Sequence, residues 1–411
     1  METTTLYGNP DCGVPADPEA TWGVRPASGV TRKREGIMAI FVLLLALAGL
    51  ACGSADDSGS SSDDLTLEQA VGQMLLIGFR GTALDDSTAT VLREIQPGGV
   101  LLFDRDGPSK GEMPRNITSP EQLRALTTSL QETASIPYFI AVDAEGGYVN
   151  RLKEEYGFTV VVPSAQTLGA QPVSNTAQVA GSLARQLQDM GINWNLAPVV
   201  DVNIDPASPA IGKRERAFSD DPEAVAAHAE AFIEAHCQQG MVSTLKHFPG
   251  HGSAAGDTHL GVTDITDTYQ RETELAPYRQ LIADGYDGAI MTAHVINRDL
   301  DSSGRPATLS YDIITGLLRD ELGFDGVILS DDMQMGAIVS QYSLADAAVA
   351  AVHAGVDIIL LTNQHSEYDL QNVRLVRDAI MQAVADGEMP EQRIRDSAQR
   401  ILTLKQQYDI Q

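Results

Sequence analysis

The chain is poor in cysteine: Cys12, Cys52 and Cys237 are its three, and no two form a CxxC pair. That excludes the local ligand pairs of structural zinc. No disulfide framework is legible, and an α/β core of this size needs none. Cys237, inside the apparent helix Ala226–Gln239, reads as a small buried hydrophobe. Basic residues are also scarce, 28 Lys and Arg against 56 Asp and Glu, a formal net charge of −28. Such a balance argues against nucleic acid, which needs clustered cations, and reads first as a solubilising surface. The apolar run Ile37–Ala51 is shorter than the roughly 20 residues of a membrane-crossing helix. There is no HExxH, no GxxxxGK[ST] loop and no GxGxxG after the first apolar run, so the usual zinc-peptidase, phosphate-cradle and dinucleotide signals are missing. No metal ion and no cofactor is expected.

What the chain does have begins with an address. The basic cluster Thr31-Arg-Lys-Arg34 precedes the run Ile37–Ala51, and small residues stand before Cys52. That order is the plan of a signal peptide. The cysteine after Ala48-Gly-Leu-Ala51 resembles the lipobox of bacterial lipoproteins, with Gly49 where that pattern prefers Leu. The resemblance implies acylation of Cys52 as the new N-terminus and an extracytoplasmic, membrane-tethered protein; plain cleavage without lipid is the alternative. Residues 1–29 have no part in this scheme, and a start near Val30 would leave a leader of ordinary length. The Gly/Ser/Asp-rich tract Gly53–Asp64 reads as a flexible tether. The expected organisation is therefore an extension and leader over 1–51, the attachment cysteine and linker over 52–64, and one catalytic domain over 65–411.

From Leu65 onward short apolar runs alternate with amphipathic stretches. The predicted strands are Met74–Gly78, Gly99–Phe103, Tyr138–Asp143, Asn193–Val199, Met241–His247, Gly288–His294, Gly326–Asp331 and Val356–Leu361. Most are rich in Val, Ile and Leu without polar alternation, as strands covered on both faces should be. Helices are predicted between them, among others Ser119–Thr133, Thr176–Met190, Pro222–Gln239, Tyr311–Glu321 and Leu344–Ala354, with Gln371–Val384 and Ile394–Tyr408 at the end. Gly191, Gly323 and Gly355 stand where left-handed C-caps belong. About eight such units predict an α/β fold, a single TIM-type (β/α)₈ barrel, ahead of a doubly wound open sheet.

The predicted strand ends carry the unusual residues. The third ends in Asp143-Ala-Glu-Gly-Gly147, the fifth in Lys246-His-Phe-Pro-Gly-His-Gly252 followed by Asp257-Thr-His259, the sixth in Thr292-Ala-His294 and the seventh in Ser330-Asp-Asp332. A single polar group at a strand end is more often structural. Four ends together, at the face where barrel enzymes keep their chemistry, point to a site. Lys246, His247 and the prolines and glycines around them suit a polyhydroxylated ligand. His251, His259 and Asp257 could also be read as zinc ligands, although no local ligand spacing supports that.

These residues resemble glycoside hydrolase family 3, most closely its single-domain β-N-acetylglucosaminidases of the peptidoglycan-recycling type. The likeness runs from Leu65-Thr-Leu-Glu68 and Val71-Gly-Gln-Met74 to Arg400-Ile-Leu402, and it is most specific in Lys246–Gly252 and Asp257-Thr-His259. Leu196–Asn203, Met291–His294 and Pro306–Ser310 match as well. The resemblance implies a retaining exo-glycosidase that removes terminal β-linked N-acetylglucosamine, with Asp331 as nucleophile and His259 as acid/base oriented by Asp257. It further implies that Asp143, Arg151, Arg216, Lys246 and His247 hold the non-reducing sugar. A small alignment shift would move the role of Arg216 to Arg214, and Tyr148 stands where some relatives have Arg.

The expected partner is a carbohydrate, an amino-sugar glycoside from peptidoglycan or chitin, handled by a monomer that meets the membrane through a lipid alone. The rival expectations are a β-glucosidase or β-xylosidase of the same family, a phosphorylase using the same intermediate, and an inactive sugar-binding lipoprotein. Neighbouring residues on a strand face opposite sides, so only one of Asp331 and Asp332 is expected to face the site. Gly252, Ala254, Ala255 and Gly256 are expected to give the loop before His259 room to close.

Overall fold

The structure, a computed structural model, describes residues 61–365 and 368–410. The leader, Cys52 and most of the tether lie outside the described residues. The last tether residues, Ser62–Asp64, form a short turn of helix docked on the C-terminal helix Glu391–Gln407. There the Ser62 amide donates to Gln399 Oε1 at 2.9 Å, and Arg395 donates to the Ser62 carbonyl at 2.8 Å.

Eight parallel strands form the centre: β1 (Leu75–Gly78), β2 (Gly99–Leu102), β3 (Phe139–Val142), β4 (Trp194–Asn195), β5 (Thr244–Phe248), β6 (Ala289–Thr292), β7 (Val327–Leu329) and β8 (Ile359–Leu361). All eight predicted runs are strands, each shorter than its apolar stretch. The pairing order β8-β1-β2-β3-β4 makes one parallel sheet and β7-β6-β5 another. Parallel bridges Trp194↔Val242 and Val199↔Lys246 join β4 to β5, and Leu329↔Ile358 joins β7 to β8. The contacts thus return to their start as a ring.

The strand residues are buried without alternation because helices cover the outside while side chains fill the inside. Trp194 is the largest of them. Its indole donates to Thr244 Oγ1 at 2.7 Å, and its ring meets Phe139 edge-on.

Helices follow every strand, and local chemistry sets their ends. Ser119 caps Pro120–Gln131, Asp221 caps Pro222–Cys237 and Ser343 caps Leu344–Ala354, each side chain accepting from an orphan amide of the first turn. Gly191, Gly323 and Gly355 have φ of 74°, 73° and 119°, the left-handed stop predicted for them. The segment predicted as an α-helix over Tyr311–Glu321 is instead the wider π-helix Asp312–Glu321. Cys237 is buried, as expected. No helix among the described residues is long and apolar enough to cross a membrane.

Candidate active site

The C-terminal ends of the strands open into a cavity of about 370 Å³. Its floor is an ion network built from three of them. Lys246, on β5, places Nζ 2.9 Å from Asp143 Oδ1 and 2.7 Å from Glu145 Oε1, just beyond β3. Arg216 grips Glu145 with two parallel bonds of 2.8 Å and donates a third to the Ala210 carbonyl at 3.0 Å. Arg151 reaches Asp143 at 3.5 Å. Burial pushes the Asp143 and Glu145 carboxyls up, but the cations outweigh it: Arg216 and Lys246 hold Glu145 well below the usual carboxylate range. Both are anions at neutral pH, held in fixed positions.

His247 extends this network. Its Nδ1 lies 2.7 Å from Asp201 Oδ2, and Arg216 Nη2 stands 3.2 Å from its Nε2. A donor on one side and an acceptor on the other assign the proton to Nδ1. Asp201 also accepts from the backbone amides of His247 and His251, at 3.2 and 2.8 Å, and so ties the Lys246–Gly252 loop to the turn after β4.

Asp331 and Asp332 follow β7. Both line the cavity, against the expected alternation, because the strand already ends at Leu329 and the chain turns there. Their surroundings separate them. Asp332 is buried and consumed by structure: it accepts from the amides of Gln334 and Thr362, from the Thr362 hydroxyl and from His365 Nε2 at 3.1 Å. Among the described residues Asp331 accepts a hydrogen bond from the Asp332 amide alone, at 2.8 Å. Burial pushes its carboxyl up, but the His294, His247 and His259 imidazoles outweigh this and bring it to about 2. It is ionised and open to the cavity. His294 itself is anchored, with Nδ1 2.8 Å from Thr308 Oγ1 and Nε2 3.0 Å from the Asp332 carbonyl.

His259 faces Asp331 from the long loop after β5. Its Nδ1 lies 2.7 Å from Asp257 Oδ1, which also accepts the His259 amide at 3.0 Å. The His259 hydrogen bond is the largest influence holding the Asp257 carboxyl far below the usual range. This bond fixes the tautomer and leaves Nε2 towards the cavity. The ring is about half exposed, 5.6 Å centroid to centroid from His365.

Of the four small residues before His259, Gly252 and Ala254 do not supply the expected freedom. Gly252 and Ala254 are buried, and a Cβ on Gly252 would lie 1.7 Å from the Val202 carbonyl oxygen. Gly252 is there because backbone meets backbone, not to act as a hinge. Gly252→Ala is therefore expected to lower stability by about 1–3 kcal/mol, as overpacked sites do. Thermal unfolding checks it, and an unchanged midpoint would show that the Val202 turn yields freely.

Behind the loop, Ser253 donates to Glu274 Oε1 at 2.6 Å, while the buried Oε2 has no hydrogen-bond partner among the described residues. Burial, against the Ser253 donor, pushes this carboxyl up to about 7. A folded pKa above the unfolded one gives a contribution that is full below about pH 4.5 and lost as pH rises through about 7. Glu274→Gln keeps the acceptor for Ser253 and cannot ionise. It should stabilise the protein by about 2–3 kcal/mol at pH 8 and hardly at pH 4. Equal urea midpoints for the two proteins at pH 8 would refute this.

The cavity thus brings together Asp143, Arg151, Arg216, Lys246, His247, His259 and Asp331, with Asp257 directly behind His259. Of the two arginines left open by the sequence, Arg216 is the one joined to Glu145 and His247. Arg214 also lines the cavity but leans towards Asp257, 3.9 Å from Oδ2. Tyr148 lines it too, largely exposed. Sequence reasoning assigned no role to five contributing residues: Glu145, Asp201, the paired Asp104 and Lys153, and His365. Glu145 sat in the strand end Asp143–Gly147 and Asp201 in the matched segment Leu196–Asn203, where an acid among glycines and an acid after apolar residues were available signals. His365 carried none. Among the described residues, no group of three or more His, Cys, Asp or Glu side chains is placed to hold a metal ion.

Comparison with known proteins gives the same direction. The profile described as "Glycosyl hydrolase family 3 N terminal domain" matches residues 66–404. "Beta-hexosaminidase A" of Pseudoalteromonas piscicida is 31% identical over 377 residues, which cover 83% of this chain and 61% of that protein. "Beta-hexosaminidase" of Alkalilimnicola ehrlichii is 38% identical over 300 residues, 70% of this chain and 80% of that one. Among solved structures, a glycoside hydrolase family 3 β-N-acetylglucosaminidase from Paenibacillus sp. str. FPU-7 aligns with a TM-score of 0.76 at 37% identity, over 84% of this chain and 63% of that one. A β-N-acetylhexosaminidase from Beutenbergia cavernae aligns with a TM-score of 0.73 at 30% identity, over 84% of this chain and 99% of that one.

Proposed function

We infer the reaction from the family: this chain belongs to glycosyl hydrolase family 3 across residues 66–404, and its ring of eight strands is read as the family's barrel. The reading is a retaining exo-glycosidase that releases terminal β-linked N-acetylglucosamine. The observation that carries it is the meeting of an ionised Asp331 and an Asp257-oriented His259 at one cavity whose floor is a rigid set of carboxylates and cations.

Asp331 attacks the anomeric carbon while His259 Nε2–H protonates the departing glycosidic oxygen. The sugar is then bound covalently to Asp331 and His259 is neutral. Water enters, loses a proton to His259 Nε2 and adds to the anomeric carbon, releasing Asp331 as carboxylate and the sugar with its original configuration. Asp143 and Glu145 offer acceptors to the sugar hydroxyls, and Arg151, Arg216, Lys246 and His247 offer donors or hold those acceptors in place. Fixing these groups before the substrate arrives is what lowers the reorganisation cost of the step.

Purified enzyme should hydrolyse an aryl β-N-acetylglucosaminide in strong preference to the aryl β-glucoside. Preference for the glucoside would overturn the substrate assignment and keep the nucleophile. For location, the lipobox-like segment supports acylation at Cys52 and an extracytoplasmic, membrane-tethered enzyme. Incorporation of a labelled fatty acid into the wild type, lost in Cys52→Ala, is the expected result; label retained in the variant would refute it.

A further inference from the structure

We propose that the loop carrying Asp257 and His259 is seated on residues beyond β7 and β8, with Gly336 and His365 as positioning residues that hold His259 at the leaving oxygen. This rests on the glycosidase reading above and adds to it the residues that place its acid/base.

The loop holds itself weakly at its tip. His259 is about half exposed, Leu260 and Val262 are exposed, and a Cβ on Gly261 would meet nothing within 4 Å. Apart from the Asp257 carboxylate bonds to His259, the tip is tied by the Leu260 amide to the Asp257 carbonyl, at 3.0 Å. Thr258 Oγ1 adds a contact of 3.3 Å to His251 Nε2. A segment with so few bonds and so little burial sits low on the local stability scale unless something else supports it.

The support comes from across the mouth. The turn after β7 leads into the short helix Gly336–Val339, whose cap residue Met335 gives no side-chain bond. The first amides of that helix need acceptors, and the loop supplies two. Gly336 donates to the His259 carbonyl at 3.2 Å, and Ala337 donates to the Thr258 carbonyl at 3.1 Å. The approach is close enough to require glycine. A Cβ on Gly336 would stand 2.8 Å from the Leu260 carbonyl carbon and 2.9 Å from the His259 carbonyl oxygen. Both are backbone atoms, so no rotamer change relieves the clash. Ala337 and Ile338 are buried while the loop tip is exposed, so the tip is the side that must yield.

His365, after β8, gives the second contact. Its Nε2 lies 3.1 Å from Asp332 Oδ2, and Asp332 is itself held by the amides of Gln334 and Thr362. The fixed ring stands 5.6 Å from the His259 ring, tilted by 53°, within the range of packed aromatic pairs. Asp332 thus anchors the ring against which His259 rests. On a third side Arg214 pairs with Asp257, at 3.9 Å from Oδ2. Ordinary carbon contacts begin near about 3.5 Å, so alanine at position 336 displaces the tip by roughly 0.5–1 Å. Misplacement on that scale can cost about 10²-fold in rate.

The test compares kcat/KM of the purified enzyme on N,N′-diacetylchitobiose, whose leaving group needs a proton, and on nitrophenyl β-N-acetylglucosaminide, whose leaving group does not. Gly336→Ala should lower the disaccharide value by about ten- to hundredfold and the aryl value far less. In the His259→Ala background the same exchange should cost nothing further on the disaccharide, because a residue that acts only through His259 then has nothing to position. His365→Ala should show the same selectivity at smaller size, and it decides the matter if Gly336→Ala does not fold. Equal proportional losses on both substrates overturn the proposal, since the residue would then act on the site at large. So does wild-type disaccharide turnover in a folded Gly336→Ala, or an additional loss in the His259→Ala background. Unselective losses beside an active wild type sink this inference alone; a wild type that hydrolyses neither substrate removes the glycosidase reading and this inference with it.

Discussion

Asp331→Asn should reduce kcat for an aryl β-N-acetylglucosaminide by at least roughly three orders of magnitude, the scale on which nucleophile deletions act. The expectation follows from what the exchange does and does not alter. The amide oxygen can still accept the Asp332 amide, so the turn after Leu329 keeps its bond. What disappears is the negative charge that His294, His247 and His259 stabilise. A second variant, Asp331→Ala, opens space beside the anomeric carbon. Azide should enter there and form the α-glycosyl azide, because a single displacement on a β-glycoside inverts configuration. Wild-type turnover in Asp331→Asn would sink the nucleophile assignment. Formation of the β-azide in the alanine variant would point to another group as the covalent partner. Since the Asp331 carboxyl lies near about 2, the acid limb of the pH profile above about pH 3 should belong to other groups.

His259→Ala should give the second-largest loss, and its size should depend on the leaving group. A sugar hydroxylate is a poor leaving group, so loss of proton donation should cost about 10²–10⁴-fold on a disaccharide. A nitrophenolate leaves without a proton, and the first step should then be almost spared. The second step is not spared, because water loses its base, so the glycosyl-enzyme should accumulate and show as added mass on the intact protein after a burst. Azide needs no base and should restore turnover, now with the β-azide as product, since two inversions give retention. Equal losses on both substrates, without a burst, would remove His259 from proton transfer. Asp257→Asn should weaken the disaccharide reaction in the same sense but less, because its oxygen can still accept from Nδ1.

Much of this was legible along the chain. The eight apolar runs were strands because burial on both faces demands continuous Val, Ile and Leu, and Gly191, Gly323 and Gly355 ended helices because glycine carries no cost at positive φ. Asp257 and His259 could be paired by reading, being two residues apart. The strand boundaries were overestimated, however, because apolar residues continue past the last ladder bond into the turns that carry the site. That is why Asp331 and Asp332 could both reach the cavity. The freedom assigned to Gly252 was also misread, because close approach of a distant backbone leaves no trace in local composition.

The sequence by itself determined the order of strands and helices, the caps that separate them, the charge of the molecule and the residue types waiting at each strand end. These depend on short-range sterics and on whether a segment is apolar, and both act within a few residues of chain. Only the tertiary structure decided that Arg216 meets Glu145 across 71 positions, that His247 meets Asp201 across 46, that Asp332 is taken up by Thr362 and His365 while Asp331 is left open, and that Arg214 stands 3.9 Å from Asp257 Oδ2. Such pairings exist because the ring of strands closes and brings eight loop ends to one mouth. Whether a charge there is neutralised, buried or free is set by which loops become neighbours, a property of the closed ring that no single segment carries.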